Sequence, residues 1–115
     1  MVCCGNVTAE DFADRLIGTT MEAFNGLDIV INNAGYTWDN VIQKTTDEQW
    51  YAMIDVHLTA PFRILRAAQP VLRALSQADT LAGRRLIRKV VNVSSVAGMF
   101  GNAGQSNYSA AKAGI

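Results

Sequence analysis

Tyr108 and Lys112 stand four residues apart in a run of small, helix-prone residues from Ser106 to Ile115. On a helix that spacing puts a phenol and an ammonium on one face. Upstream, the β-rich run Val90 to Val93 leads into Ser94 and Ser95, and Gly98, Gly101, Asn102 and Gly104 then supply turns. A hydroxyl at a strand end, facing a Tyr/Lys pair on the next helix, is an arrangement for moving a proton to or from a substrate oxygen. The Tyr-x-x-x-Lys spacing is a weak signal by itself, so its weight depends on the elements that carry it.

Those elements read as alternating helices and strands. Met1 to Gly5 has the character of the tail of a strand. Thr8, with Asp11 three residues on, is close to a capping box for a helix of about four turns. Its stripe is Phe12, Leu16, Thr20 and Phe24, flanked by Ala13, Ile17 and Met21, and Asn25-Gly26 ends it with Gly26 suited to the left-handed cap position. Leu27 to Ile31 is an apolar run without polar alternation, as expected of a parallel strand covered on both faces.

The loop Asn32-Asn33-Ala34-Gly35 follows that strand and belongs on the ligand side, because open parallel sheets bind ligands beyond the carboxyl ends of their strands. Its amides can tie neighbouring strand ends, and Ala34 and Gly35 let a flat ligand approach; a plain turn is the alternative. Thr46 is the next N-cap, ahead of Asp47 and Glu48. Trp50, Met53, Ile54 and Leu58 continue a helical face. Pro61 predicts one helix ending near His57 and another starting near Thr59 or Ala60, with Phe62, Leu65, Ala68, Leu72 and Leu75 on its stripe. His57 is the only histidine, and packing or capping is its ordinary role at a helix end. Ser76 to Arg88 reads as a solvated connection; its alternative is docking of an anionic partner, an acidic carrier protein or a coenzyme phosphate, on Arg84, Arg85, Arg88 and Lys89.

The 115 residues carry no net charge and are 50% hydrophobic, which gives no general reason to expect nucleic acid or a membrane surface as partner. Adjacent Cys3 and Cys4 have no His or Cys neighbours at metal-ligand spacing and read as reduced thiols of a cytoplasmic protein. No linker, repeat or low-complexity tract divides the chain, so residues 1–115 are expected to belong to one domain.

In their joint spacing, N-N-A-G at 32–35, tandem serines ending at Ser95, and Tyr108 and Lys112 with Tyr108 thirteen positions after Ser95, the residues resemble the short-chain dehydrogenase/reductase family. The similarity runs from Gly5-Asn6-Val7 to Ile115, and G-N-A-G-Q-S-N-Y-S-A-A-K-A-G is most similar to bacterial 3-oxoacyl-[acyl-carrier-protein] reductases. The resemblance implies an α/β fold, the central part of a Rossmann-like doubly wound parallel sheet. It implies an NAD(P)-dependent oxidoreductase acting on a carbonyl or secondary alcohol, with NADPH slightly favoured over NADH. The substrate it implies is a 3-oxoacyl group on acyl carrier protein, reduced in fatty acid synthesis. Other members oxidising a sugar, polyol or steroid alcohol are the alternative, as is a non-catalytic role in subunit assembly. A cytoplasmic homotetramer is the implied full-length form.

Residue by residue, the resemblance makes Tyr108 the proton donor or acceptor. Lys112 favours release of the phenol proton and holds the nicotinamide ribose. Ser95, rather than Ser94, binds the substrate oxygen, and Gln105 joins it on the substrate side. Asn6 and Val7 fall beside the adenine, and Asn33, Ala34 and Gly35 on the adenosine side. A fourth catalytic position, usually an Asn that holds a water beside the Lys, falls on His57. The family's Gly-rich pyrophosphate turn has no counterpart before residue 1, nor do its later strands after residue 115. From the sequence, then, this chain alone is expected to be at best marginally stable and to bind no nicotinamide nucleotide.

Overall fold

A computed structural model describes all 115 residues. Helix α1 (Phe12–Phe24) leads into strand β1 (Ile29–Asn32), and a single 3-10 turn (Ile42–Lys44) precedes helix α2 (Asp47–Ile54). A π-helical segment (Asp55–Thr59) joins α2 directly to helix α3 (Ala60–Leu81). Strand β2 (Lys89–Asn92), helix α4 (Val96–Phe100) and helix α5 (Ser106–Gly114) complete the chain. The two strands pair in parallel, Ile29 opposite Lys89 through Asn32 opposite Asn92, with the long helix as the crossover between them. This is the α/β arrangement expected from the resemblance.

The core forms where α1 and α3 pack on one face of β1. Ala13, Ile17, Leu27, Val30, Ile64 and Ala68 make the central cluster, and Leu16, Leu65 and Leu72 pack around it. A second buried group, Met53, Val56, Ala60 and Ala111, lies where α5 meets α2 and the π segment.

Several expectations change on contact with this packing. Met1 to Gly5 has no strand partner and is not a strand. Arg15 holds it instead, donating from Nη1 to the Cys4 carbonyl at 3.0 Å, while Gly5 lies so close to the Phe12 ring that a Cβ would stand 2.7 Å from it. Thr8 does not cap α1: its backbone N–H and hydroxyl both donate to Asn6 Oδ1, and two tight turns delay the helix to Phe12. At the other end Asn25, not Gly26, takes the left-handed position (φ 49°), a conformation Asn tolerates. Phe24 leaves the stripe and is exposed.

β1 is covered on one face only. Val30 and Asn32 point inward, while Ile29 and Ile31 are exposed. The predicted break before Pro61 does not occur. Pro61 lacks an N–H, and the chain accommodates it by widening the preceding turn, with Ala60 N–H bonding Asp55 O, so that the helical path is continuous from Asp47 to Leu81.

The connection after Ser76 also differs from a solvated loop. Ser76 to Leu81 remains helical, and Asp79 is buried (7% exposed) between two cations. Its carboxylate accepts from Arg84 and Arg88, each at 2.7 Å, and Arg88 also donates to Leu27 O at 3.2 Å. These arginines fasten the end of α3 to the start of β2. Arg88 lies at the amino end of that strand, six residues and about 20 Å from Ser94.

Candidate functional site

The carboxyl ends of β1 and β2 carry the candidate site. Asn32 Nδ2 donates to Asn92 Oδ1 at 2.8 Å, so the amide tie expected of the loop is made across the two strands. Beyond it lies a polar recess of about 190 Å³ lined by Asn33, Gly35, Tyr36, Thr37, His57, Val93, Ser94, Tyr108 and Lys112. Four elements therefore converge on one space: the loop after β1, the π segment, the end of β2 and α5.

Lys112 is buried (6% exposed) and gripped at both ends by β2's extension. Its ammonium donates to Val93 O at 2.6 Å, and its backbone carbonyl accepts from Ser94 Oγ at 2.6 Å. Gly98 permits this, because a Cβ there would come within 2.6 Å of the Lys112 carbonyl. One ammonium proton goes to Val93, which leaves two for other acceptors. The ammonium lies 5.9 Å from the centre of the Tyr108 ring.

His57 is 3% exposed, and its ring meets that of Tyr108 edge-on at 5.0 Å between centroids. Nε2 lies 2.7 Å from the Tyr36 carbonyl. A carbonyl only accepts, so Nε2 carries the proton and Nδ1 is a bare acceptor. Nδ1 is buried and has no protein partner. Burial holds the imidazole below its ordinary value of 6.5, and Lys112 pushes the same way against the opposing Tyr36 bond. At neutral pH the ring is thus neutral. Gly35 gives it room: a Cβ at that position would stand 2.7 Å from Nδ1.

The two serines divide their hydrogen bonds differently. Ser94 lines the recess, but its proton is committed to Lys112 O. Ser95 caps α4 by accepting from Ala97 N–H at 3.2 Å, a bond that uses an oxygen lone pair and leaves its hydroxyl proton available. Ser95 stands beside the recess rather than on its wall. Gln105 is also off the wall: its Nε2 donates to Asp39 at 2.8 Å and its Oε1 accepts from Asn102 at 2.9 Å.

A second, mostly apolar recess of about 210 Å³ adjoins the first. Val7, Asn33 and Ala34 line it together with Ile31, Val56 and Ile64, and Asn33 is shared by both recesses. Asn6 is not on its wall; Oδ1 of that residue is taken up by Thr8. The structure thus gathers His57, Tyr108, Lys112, Asn33 and Gly35 at one recess and Val7, Ala34 and Asn33 at the next, with Ser95 adjacent and Asn6 and Gln105 outside.

Sequence reasoning passed over two residues here. Asn107 is almost fully buried (1% exposed) and bonds three elements, although its neighbour Tyr108 attracted attention. Ser94 lines the recess, although the resemblance selects Ser95. A polar residue immediately before a reactive one on the same helix turn was the available signal for Asn107.

Comparison with known proteins comes to the same region of sequence space. The family model for short chain dehydrogenase matches residues 1–115. A 3-oxoacyl-[acyl-carrier-protein] reductase of Synechocystis sp. is 43% identical over 110 residues, 96% of this chain and 40% of that protein. A hydroxyacyl-CoA dehydrogenase of Mycobacterium tuberculosis is 41% identical over 111 residues, 96% of this chain and 34% of that protein. The crystal structure of a short chain dehydrogenase from Mycobacterium avium superposes with a TM-score of 0.80 at 44% identity, covering 96% of this chain and 36% of that one. The chain therefore spans about two fifths or less of the length of these relatives.

Proposed function

The chain belongs to the short-chain dehydrogenase family, and on that premise we propose that residues 1–115 form the central part of one NAD(P)-binding domain whose reaction interconverts a 3-oxoacyl thioester and its 3-hydroxyacyl counterpart. The observation that carries this reading is the convergence of His57, Tyr108 and Lys112 on one recess at the carboxyl end of a parallel strand pair. The residues fit a nicotinamide nucleotide: Lys112 keeps two ammonium protons beyond its bond to Val93, and the unpartnered Nδ1 of His57 offers a buried acceptor.

Lys112, with His57 Nδ1 beyond it, would hold the nicotinamide ribose hydroxyls, while Asn33, Ala34 and Val7 bound the adenosine side. A nucleotide held there supplies or removes the hydride. Tyr108 gives its proton to the substrate oxygen, and the buried ammonium of Lys112 favours the phenolate left behind. Ser95 donates its uncommitted proton to the same oxygen and stabilises charge developing on it. Ser94 keeps Lys112 in place through the Lys112 carbonyl.

Acyl carrier protein is the proposed carrier of the acyl group, in line with the reductase relatives and with NADPH as the favoured nucleotide. Coenzyme A is the second reading, favoured by two observations. One of the similar proteins is a hydroxyacyl-CoA dehydrogenase, and Arg84 and Arg88, half of the cations suggested for an acidic carrier, are paired with Asp79 far from the recess.

The test uses the longest natural chain that carries this segment, assayed for reduction of acetoacetyl thioesters of both carriers with NADPH and NADH. Tyr108→Phe is expected to lower kcat by about 10²–10⁴ with little change in nucleotide KM. Full activity in that variant would remove the proton-donor assignment. A purely structural role in subunit assembly predicts that result.

A further inference from the structure

Asn107 sits immediately before Tyr108 and is among the most deeply buried polar side chains of the chain. Its amide is almost fully employed. Oδ1 accepts from the Tyr108 backbone N–H at 2.9 Å, one of the donors that a helix start leaves without an intrahelical partner. The two Nδ2 protons go to Trp38 O at 3.1 Å and Gln49 O at 3.0 Å. Those acceptors belong to the loop after β1 and to α2. Gln49 is itself fixed by the Thr46 capping box, its Oε1 accepting from Thr46 N–H at 3.0 Å.

The loop that offers Trp38 O also offers Tyr36 O, two residues earlier, to His57. His57 in turn lies edge-on against the Tyr108 ring. A closed circuit results: Asn107 to Trp38, along the backbone to Tyr36, to His57, and back to Tyr108. The circuit fixes the start of α5 by the amide and the aromatic ring by the imidazole, from opposite sides.

We propose that Asn107 is a positioning residue for Tyr108, setting where the phenol stands relative to Lys112 by locking the first turn of α5 to the loop 36–38. The inference rests on the proposed proton transfer by Tyr108. Filling space does not require an amide here, since an apolar side chain of like volume would pack without donors. Two donors and one acceptor at fixed angles are needed only if the helix start must hold one orientation. A displacement of about 1 Å at a reacting group costs on the order of 10²-fold in rate.

The experiment compares Asn107→Ser, Asn107→Asp and Tyr108→Phe in the longest natural chain, measuring kcat, KM for nucleotide and thioester, the pH profile of kcat, and the melting temperature. Asn107→Ser shortens the reach to both carbonyls. Asn107→Asp keeps the shape but turns two donors into acceptors facing carbonyl oxygens. Both are expected to lower kcat by about 10–10²-fold with nucleotide KM within about threefold, and to change the shape of the pH profile of kcat. Combined with Tyr108→Phe, Asn107→Ser should add almost nothing to the loss.

A fall in melting temperature with unchanged kcat and pH profile per folded molecule overturns the proposal and leaves Asn107 a packing residue. An active Tyr108→Phe enzyme overturns instead the functional reading beneath it, so the two failures are distinct. If both Asn107 variants fail to fold, the wild-type protein decides. Slow solvent exchange of the Asn107 side-chain NH₂ protons, with NMR contacts to the backbones around Trp38 and Gln49, is required, and rapid exchange rejects the lock.

Discussion

Gly35→Ala is the sharpest perturbation of the site, because one methyl group meets one ring. The Gly35 backbone is outside the left-handed region, so alanine carries no conformational penalty there and the cost is spatial. The new Cβ would stand 2.7 Å from His57 Nδ1, with Cε1 nearer still. Ordinary contact is about 3.5 Å, so the ring must retreat by about 0.8 Å or more. Taken up along the bond to Tyr36 O, now 2.7 Å, that retreat stretches the distance to about 3.5 Å, the end of its useful range. Overpacking of this kind costs about 1–3 kcal/mol, and a buried donor left without its acceptor another 1–3 kcal/mol.

Gly35→Ala is therefore expected to destabilise by about 2–6 kcal/mol, read as the shift in a urea unfolding curve. The decisive control is the same substitution in a His57→Ala background. With the ring gone the methyl group has space, and the added cost should drop below about 1 kcal/mol. Equal costs in the two backgrounds, within about 0.5 kcal/mol, would refute the claim that Gly35 exists to clear the imidazole.

His57 also predicts a pH effect whose sign follows from its lowered proton affinity. Between its folded value and 6.5 the unfolded chain binds the extra proton, so stability is complete above about pH 6.5 and falls as pH drops through the folded value. Urea midpoints measured between pH 7.5 and 5 should decline in the wild type and decline less in His57→Asn. Asp79 acts in a lower window. Hydrogen bonds from Arg88 and then Arg84 hold its carboxyl below 3.8, so its contribution is present above that pH and lost as pH falls through the depressed value. Asp79→Asn should lower the urea midpoint at pH 7 and flatten its dependence below pH 4. Thr46→Ala removes the reciprocal cap with Gln49 and should cost about 1 kcal/mol, visible in thermal unfolding.

What could be read from the sequence was local and short in range. Thr46 capped the helix it was expected to cap, the apolar runs at 27–31 and 90–93 carry the two strands that pair in parallel, and the N-N-A-G loop reached the same space as Tyr108 and Lys112. Misreadings arose where a distant partner decided. Asp79 looked solvated because its cations lie beyond a helix end, five and nine positions away. Pro61 looked like a terminator because a helix can also accommodate it by a wider turn, which leaves no mark in composition. Met1 to Gly5 had strand character but pairs with neither strand, and Arg15, eleven positions on from Cys4, holds its path. Asn107 was invisible for a related reason: all of its value lies in carbonyls at Trp38 and Gln49, and any residue has a carbonyl.

The pairing of β1 with β2 acts as a ruler for the buried ammonium. Val93 N–H bonds Asn32 O at 3.0 Å, and the carbonyl of the same Val93 receives Lys112 Nζ. A slip of one residue between the strands would carry that carbonyl about 3.3 Å along its axis and turn alternate side chains to the opposite face. The Asn32–Asn92 amide pair opposes any such slip, since only the observed register brings the two amides face to face. Substitutions of either asparagine, though neither lines the recess beside Tyr108, would thus be felt there as an error in length.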